Sequence, residues 1–326
     1  MQEFKNVLKK SNLNTEKELT IMNFISKQDV VYELSGANQS IAEIEPGQRV
    51  TFDTYDCFSD QIRSTKDKFT TIGWEMINPA TGPISIKGAQ PGDVLKIKIE
   101  DISVADYGVM VTAPGFGTIE DEITKETTKI IPIKDNKAIF NDNIEIPIKP
   151  MIGVIGTAPE GDQAIPCGTP GEHGGNMDCQ EVIAGSTIYL PVHHQGGLLA
   201  LGDLHAVMAD GEVSMTGLEV AGKVTLQIEV LSGQSAKLPL PMIINNENLI
   251  VVHSEKTLDE SVKQVTSKTT HFIREYSDLE LEDAVSLLSL VGDVKICQVV
   301  DPLMTVRMEI AHKYLKQLGI SEQLFS

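Results

Sequence analysis

The chain has 326 residues, 41% of them hydrophobic and 22% charged, and a formal net charge of −19. That length is enough to bury a large core, in two lobes or in one lobe with an appendage. The carboxylate surplus excludes nucleic acid as a partner, because a phosphate backbone demands clustered Lys and Arg, and it argues equally against an anionic membrane surface.

Residues 1–21 are polar, rich in Lys, Asn and Glu, and show no apolar face. They lack the hydrophobic stretch of a signal peptide, so a loosely attached extension and a cytoplasmic location are expected. No apolar run in the chain reaches the ~18 residues of a membrane span. The cysteines Cys57, Cys167, Cys179 and Cys297 are too few for a disulfide framework, and without CxxC spacing a structural zinc knuckle is not expected either.

From Met22 to about residue 240 the pattern is period-two alternation. In VLKIKIEDI, Leu95, Ile97 and Ile99 oppose Lys96, Lys98 and Glu100; in KVTLQIEV, Val224, Leu226, Ile228 and Val230 oppose Thr225, Gln227 and Glu229. Such alternation predicts half-buried, mostly antiparallel strands. Turn signals (EPGQ, ATGP, QPGD, ADGE, LSGQ) separate them at short intervals. The expected fold is mainly β, a β-sandwich or barrel-like body.

Residues 241–326 read as a smaller α+β unit packing on that body. Thr257 followed by Glu260 forms a capping box, and Leu258, Val262, Val265, Phe272, Ile273 and Tyr276 keep helical spacing to residue 276. A second helix is expected from 277–280, burying Leu281, Val285 and Leu288, followed by strands near 295–300 and 305–310. In the last of these, Val306, Met308 and Ile310 oppose Arg307 and Glu309. The helices offer no carboxylate cluster, so their expected work is packing, on the body or on a second subunit; a closed homodimer is the expected assembly.

The chemistry-bearing residues crowd between Thr169 and Glu229: His173, Asn176, Asp178, Asp203, His205, Asp210, Glu212 and Glu219, among glycine-rich turns. A divalent ion needs oxygen and nitrogen donors held this way. In GDLHA, Asp203 and His205 are two apart and share a face if the backbone is extended. The alternative is a surface Asp beside a hydrogen-bonded His at a turn. In GEHGGNMD, glycines flank His173 and let backbone approach a ligand, while Asn176 and Asp178 either share a face or merely cap the turn. FDTYDCFSDQI offers Asp53, Asp56 and Asp60 at a strand rim. Glu219, between Leu218 and Val220, is expected to face a cleft, and Glu212 in the ADGE turn to face solvent. His193 and His194 are adjacent, so at most one serves the cleft; His253, His271 and His312 have no supporting pattern. There is no GxSxG or SxxK nucleophile motif. Cys179, with His173 as its base, is the one nucleophile candidate, against the usual role of a buried cysteine in a core.

Taken together in order, PGQRVTFDTYDCFSDQI, NPATGPISIKGAQPGDVLKIKI, MIGVIGTAP, GEHGGNMD, LPV, LLALGDLHAVMADGEV and GDVKICQVVDP resemble the acetamidase/formamidase family, from about residue 22 to 310. The resemblance implies a β-rich fold with a bound divalent metal and hydrolysis of short aliphatic amides to ammonia and a carboxylate. It maps the family's acidic position before Cys57 onto Asp56, its Gly-Gly-Asn-x-Asp onto 174–178, its Gly-Asp-x-His onto 202–205, and its acid after the DGE turn onto Glu219. Asp178, Asp203 and His205 are then the expected core ligands, with Asp56 next. Glu219 is the expected proton shuttle, His173 the partner of the carbonyl or tetrahedral intermediate, and Asn176 a third member of the catalytic set. Zinc is the expected metal given a histidine, with calcium as the oxygen-rich alternative. Where the family carries small residues before an apolar strand, this chain has His193-His194-Gln195-Gly196-Gly197, expected close to the site. Two competing readings are a non-catalytic β-sandwich with a structural metal and a cysteine-dependent amidase.

Overall fold

The computed structural model describes residues 23–321; the extension expected at 1–21 lies outside the described residues. The fold is mainly β. One nine-stranded sheet runs, by neighbour, through Asn23–Ile25, Arg49–Thr54, Gly222–Leu231, Val94–Val104, Thr187–Pro191, Met242–Ile244, Asn248–Glu255, Met304–Ala311 and Gly292–Gln298. A second sheet has Leu199–His205 at its heart, flanked by Met151–Gly156, Ala80–Ile86 and Glu219–Val220. Apart from two short parallel pairs, at Asn23–Ile25 and Ala42–Ile44, the ladders are antiparallel, as the alternation implies.

The two sheets close on one core. Phe52, Ile97, Ile99, Leu226 and Ile228 from the first meet Ile84, Ile152, Leu199, Leu201 and Leu204 from the second, all fully buried. Each such side chain contributes roughly 1.5–3 kcal/mol of burial free energy. The inward set in Val94–Val104 passes from Ile99 to Ile102 because the ladder to Gly222–Leu231 shifts register there, skipping Glu100.

The C-terminal part continues the first sheet through Met242–Ile244, so its strands share hydrogen bonds with the body. Its long helix, Leu258–Glu275, starts at the capping box: Thr257 Oγ1 accepts the Glu260 N–H at 3.2 Å. Val265, Phe272 and Ile273 then pack on Val251, Val306 and Met308. The second helix, Leu281–Val291, corrects one expectation. Its buried residues are Ala284 and Leu288, whereas Leu281 and Val285 stay 43% and 42% exposed. The 284/288 edge faces the long helix, and that contact sets the phase.

A second correction concerns Arg307 and Glu309, expected on a solvent face. Both are buried. Arg307 donates to both carboxylate oxygens of Asp210, at 2.6 and 2.9 Å, and to Glu309 Oε1 at 2.7 Å. The strand is therefore covered on both sides, with an ion pair where apolar contact would otherwise sit. Among the described residues no helix is long and apolar enough to cross a membrane.

Candidate active site

The site forms where the second sheet is interrupted by its own acidic residues. Leu199–His205 pairs with Glu219–Val220 so that His205 stands opposite Glu219, and His205 Nε2 lies 3.2 Å from Glu219 Oε1. The same nitrogen is 3.6 Å from Asp203 Oδ1 and 3.7 Å from Asp178 Oδ1. The convergence of Asp203 and His205 expected from their spacing is present, but not through extended backbone. Asp203 has φ 53°, and Asp178 and Glu212 likewise lie in the left-handed region at 42° and 46°. A non-glycine residue there costs about 1–2 kcal/mol, and such strain clusters at functional sites.

Gly153 makes room for these carboxylates. It faces Asp203 across the ladder, and a Cβ at Gly153 would lie 2.5 Å from Asp178 Oδ1 and 2.7 Å from Asp203 Oδ2. The strand Gly174–Asn176 pairs on the other side of Met151–Gly156 and carries the chain into Asp178.

Two donor groups adjoin. Asp178, His205 and Glu212 each offer a ligand atom within 4.8 Å of the others, and so do Cys57, Asp203 and Glu219; all six are buried. Among the described residues, the buried side-chain polar atoms without a partner are Asn176 Oδ1, Asp178 Oδ1, His205 Nδ1, Glu212 Oε2, Glu219 Oε2 and His173 Nε2. Buried polar atoms are ordinarily satisfied, so the orphan oxygens of Asn176, Asp178, Glu212 and Glu219 call for partners; His205 meets Asp178, Asp203 and Glu219 through Nε2, its Nδ1 facing Gly217. Buried carboxylates in particular require a cation or a proton. The donor set (carboxylate oxygens with one imidazole) fits a divalent cation.

Burial and mutual proximity raise the proton affinity of several of these groups. Burial pushes the Glu219 carboxyl up to about 8 and that of Asp178 to about 6. Glu212 and Asp301 are held well above the usual carboxylate range, first by burial and then by the neighbouring Asp178 charge. For His205, burial opposes the charged ring, but Glu219 and Asp203 outweigh it and hold its pKa well above the ordinary histidine value.

The structure thus brings Asp178, Asp203, His205 and Glu219 together. It does not bring Asp56 into either donor group. The Asp56 Oδ1 accepts the backbone N–H groups of Phe58 and Asp60 at 3.0 and 2.7 Å, fixing the turn after the strand Arg49–Thr54. Asn176 lines the cavity described below, and its Nδ2 donates to Asp301 Oδ2 at 2.8 Å. His173 is buried behind the glycine strand and does not line that cavity; its Nε2 would lie 3.1 Å from a Cβ at Gly175. Burial pushes its pKa down to about 4, leaving the ring neutral. His193 and His194 lie elsewhere: His193 lines a separate hollow with Glu172 and Lys268, and His194 Nε2 sits 3.0 Å from the carbonyls of Pro159 and Gly161. Cys179 is fully buried in the main core.

Three site residues lie outside the sequence expectation. Cys57 belongs to the second donor group. Glu212, expected in solvent, is buried, because its turn is drawn inward by the Arg307–Asp210 pair and by the Gly211 N–H bond to Cys297 O at 2.9 Å. Asp301 comes from the C-terminal part and is fixed by Gln298, whose Oε1 accepts the Asp301 N–H at 3.0 Å. The spacing of Asp210 and Glu212, two apart in ADGE, was the available signal for Glu212; Asp301 falls in GDVKICQVVDP, one of the segments that carry the resemblance, but no site role is read from it.

These groups form one end of a cavity of about 980 Å³, with Asn176, Asp203, Glu212, Glu219 and Asp301 in its lining and an aromatic group formed by Phe58, Phe69, Trp74 and Phe116 along another wall. Against known proteins, a family model described as the Acetamidase/Formamidase family matches residues 37–166 and 160–276. An acetamidase from Bacillus halodurans of solved structure is 41% identical, with a TM-score of 0.89, over 91% of this chain and 100% of that one. A predicted acetamidase/formamidase from Thermoanaerobacter tengcongensis is 42% identical, also with a TM-score of 0.89, over 92% and 99%. A formamidase from Methylophilus methylotrophus is 23% identical over 59% of this chain and 61% of its own length. The chain spans 61–63% of the length of the curated relatives it matches.

Proposed function

The chain belongs to the acetamidase/formamidase family, and we propose that it hydrolyses the C–N bond of an amide with the help of a divalent metal. The observation that carries the metal is the pair of unpartnered buried carboxylate oxygens, Asp178 Oδ1 and Glu212 Oε2, beside His205 and Asp203. Asp178, Asp203, His205 and Glu212 would hold the ion; zinc matches the imidazole, while calcium would match the oxygens. Such an ion supplies positive charge that polarises an amide carbonyl and makes water more acidic.

The chain's own residues do the rest. Amides resist hydrolysis because nitrogen donates into the carbonyl and leaves poorly as an anion. In its ionised form Glu219, whose proton affinity is raised by burial (its carboxyl is pushed up to about 8), accepts a proton from the attacking water and passes it to the departing nitrogen. Water's oxygen bonds to the carbonyl carbon, the C–N bond breaks, and a carboxylate and ammonium result, the second proton of water also ending on the released ammonia. Asn176 orients the substrate: its Nδ2 is committed to Asp301, which leaves the unpartnered Oδ1 to accept from the amide NH2. His173, behind the glycine strand, takes no part in the step.

The test is ammonia release from a panel of primary amides, with and without chelator, alongside metal content by mass spectrometry. Metal-dependent turnover is expected. Metal binding without turnover on any amide would instead support the structural-metal alternative, and chelator-resistant turnover would remove the metal from the reading.

A further inference from the structure

Formamide and acetamide are far smaller than the cavity above the acidic cluster. At about 980 Å³ it lies at the upper end of sites that enclose drug-sized ligands, roughly 300–1,000 Å³. Its wall is also of the wrong chemistry for a small polar guest. Phe69 stands edge-on to Trp74 and to Phe116, with ring centroids 5.1 and 5.5 Å away and interplanar angles of 83° and 89°. Trp74 and Phe116 lie 5.6 Å apart at 39°. Ile77 and Met215 continue this apolar wall. Trp74 remains 64% exposed. A large indole held at a cavity wall by two other rings, and still uncovered, is an apolar surface awaiting contact.

The charge of the lining narrows the guest further. Glu33, Glu75, Asp203, Glu212, Glu219 and Asp301 all line the cavity, and among the described residues no Lys, Arg or His does. Beyond the acidic cluster, whose charge the proposed ion offsets, a substrate bearing its own carboxylate would still meet Glu33 and Glu75 with no cation from the chain to balance it. The amide end belongs at the acidic cluster, so the remainder of the substrate must extend along the aromatic wall.

We propose that the preferred substrate is a neutral amide whose acyl group carries an aromatic ring or an apolar body of similar size, rather than a short aliphatic amide. This rests on the amide-hydrolysis reading above and assigns Trp74 and Phe116 as specificity-determining residues.

The experiment compares phenylacetamide, 4-carboxyphenylacetamide and acetamide as substrates of the metal-loaded protein. It also titrates the emission of Trp74, the only tryptophan in the chain. Phenylacetamide is expected to exceed acetamide at least about tenfold in kcat/KM, since even one added methylene in an apolar pocket is worth roughly tenfold or more. The carboxylated analogue should fall at least about tenfold below phenylacetamide. Phe116→Ala should raise KM for phenylacetamide and lower the phenylacetamide-to-acetamide preference at least about fivefold. A merely structural role for Phe116 would depress both substrates alike, and that result overturns the assignment. Acetamide turned over as well as phenylacetamide overturns the proposal. If no amide is hydrolysed, the amidase reading has failed, and the titration decides the present inference separately. Saturable perturbation of Trp74 emission by phenylacetamide but not by acetamide sustains the aromatic ligand class; no saturable response to phenylacetamide refutes it.

Discussion

Replacing Gly153 by Ala should damage the site while leaving the fold intact. Its backbone torsions admit a side chain, because Gly153 is absent from the positive-φ residues, but the Cβ would lie 2.8 Å from the Asp203 carbonyl oxygen, so the facing strand must also shift locally. The added methyl would also lie 2.5 Å from Asp178 Oδ1 and 2.7 Å from Asp203 Oδ2. Ordinary van der Waals contact starts near 3.4 Å, so one or both carboxylates must retreat by the better part of an ångström. Neither can swing into solvent, since both are buried and start from strained left-handed backbone. Overpacking of this kind costs about 1–3 kcal/mol of stability, or a few degrees of Tm in a chain of this size. Disturbing groups that merely orient metal ligands already lowers affinity about 10–100-fold, so displacing two of the proposed ligands should cost at least that. Gly168→Ala is the control: it also lines the cavity, but its Cβ would meet nothing closer than 3.4 Å. Metal titration, metal content and ammonia release would be measured on both variants. A Gly153→Ala protein that binds metal with unchanged affinity and retains full turnover would refute the placement of the ion between Asp178 and Asp203.

Asp203→Asn keeps the shape but removes a charge that the ion requires, so bound metal should fall at least about a hundredfold in affinity and hydrolysis with it; equal metal content and rate would show that Asp203 is not a ligand. Cys179→Ala should keep at least roughly a tenth of the wild-type rate, because the thiol is buried in the core and outside the cavity lining. A loss of several orders of magnitude in a folded variant, as nucleophile removal produces, would favour the cysteine-dependent alternative. Arg307→Met should cost about 3 kcal/mol, near the low end for breaking a buried ion pair, since Asp210 is 33% exposed and Glu309 keeps Lys295 at 2.8 Å. Because the same pair draws the Glu212 turn inward, metal content should drop too, and unchanged melting with unchanged metal would refute that link.

What the sequence revealed about this molecule was what sequence encodes locally. Alternation along 94–100 and 224–230 depends on neighbours one and two residues away, and the strands Val94–Val104 and Gly222–Leu231 follow it. The capping box at Thr257 is equally local and holds. The GDLHA motif exposed Asp203 and His205 because both proposed ligands fall within three residues, although the left-handed turn at Asp203 that aims them is not visible in the pattern. Arg307 and Glu309 were misjudged by the same alternation rule that worked elsewhere. A charged residue at an outward position is solvated only if nothing arrives to cover it, and here Asp210, nearly a hundred positions earlier, does.

Glu212 and Asp301 went unread for one shared physical reason, which also explains why the site depends on the C-terminal part. An acidic residue in a turn such as ADGE minimises its desolvation by facing water, so burial of Glu212 must be imposed from outside the turn. That imposition comes from Arg307 through Asp210 and from the edge strand through Cys297 O, both in the C-terminal part. The same part contributes Asp301 and holds it through Gln298. The helices contribute no carboxylate, as their sequence implies, but the strands they pack against do. Anything that loosens Met304–Ala311 from Gly292–Gln298 must then disturb Glu212 and Asp301 together, while Asp203 and His205, fixed within the second sheet by Glu219–Val220 and Met151–Gly156, stay in place. The proposed metal would thus be held by the rigid pair Asp203 and His205 together with Asp178, and by Glu212, whose position depends on the docking of the C-terminal strands.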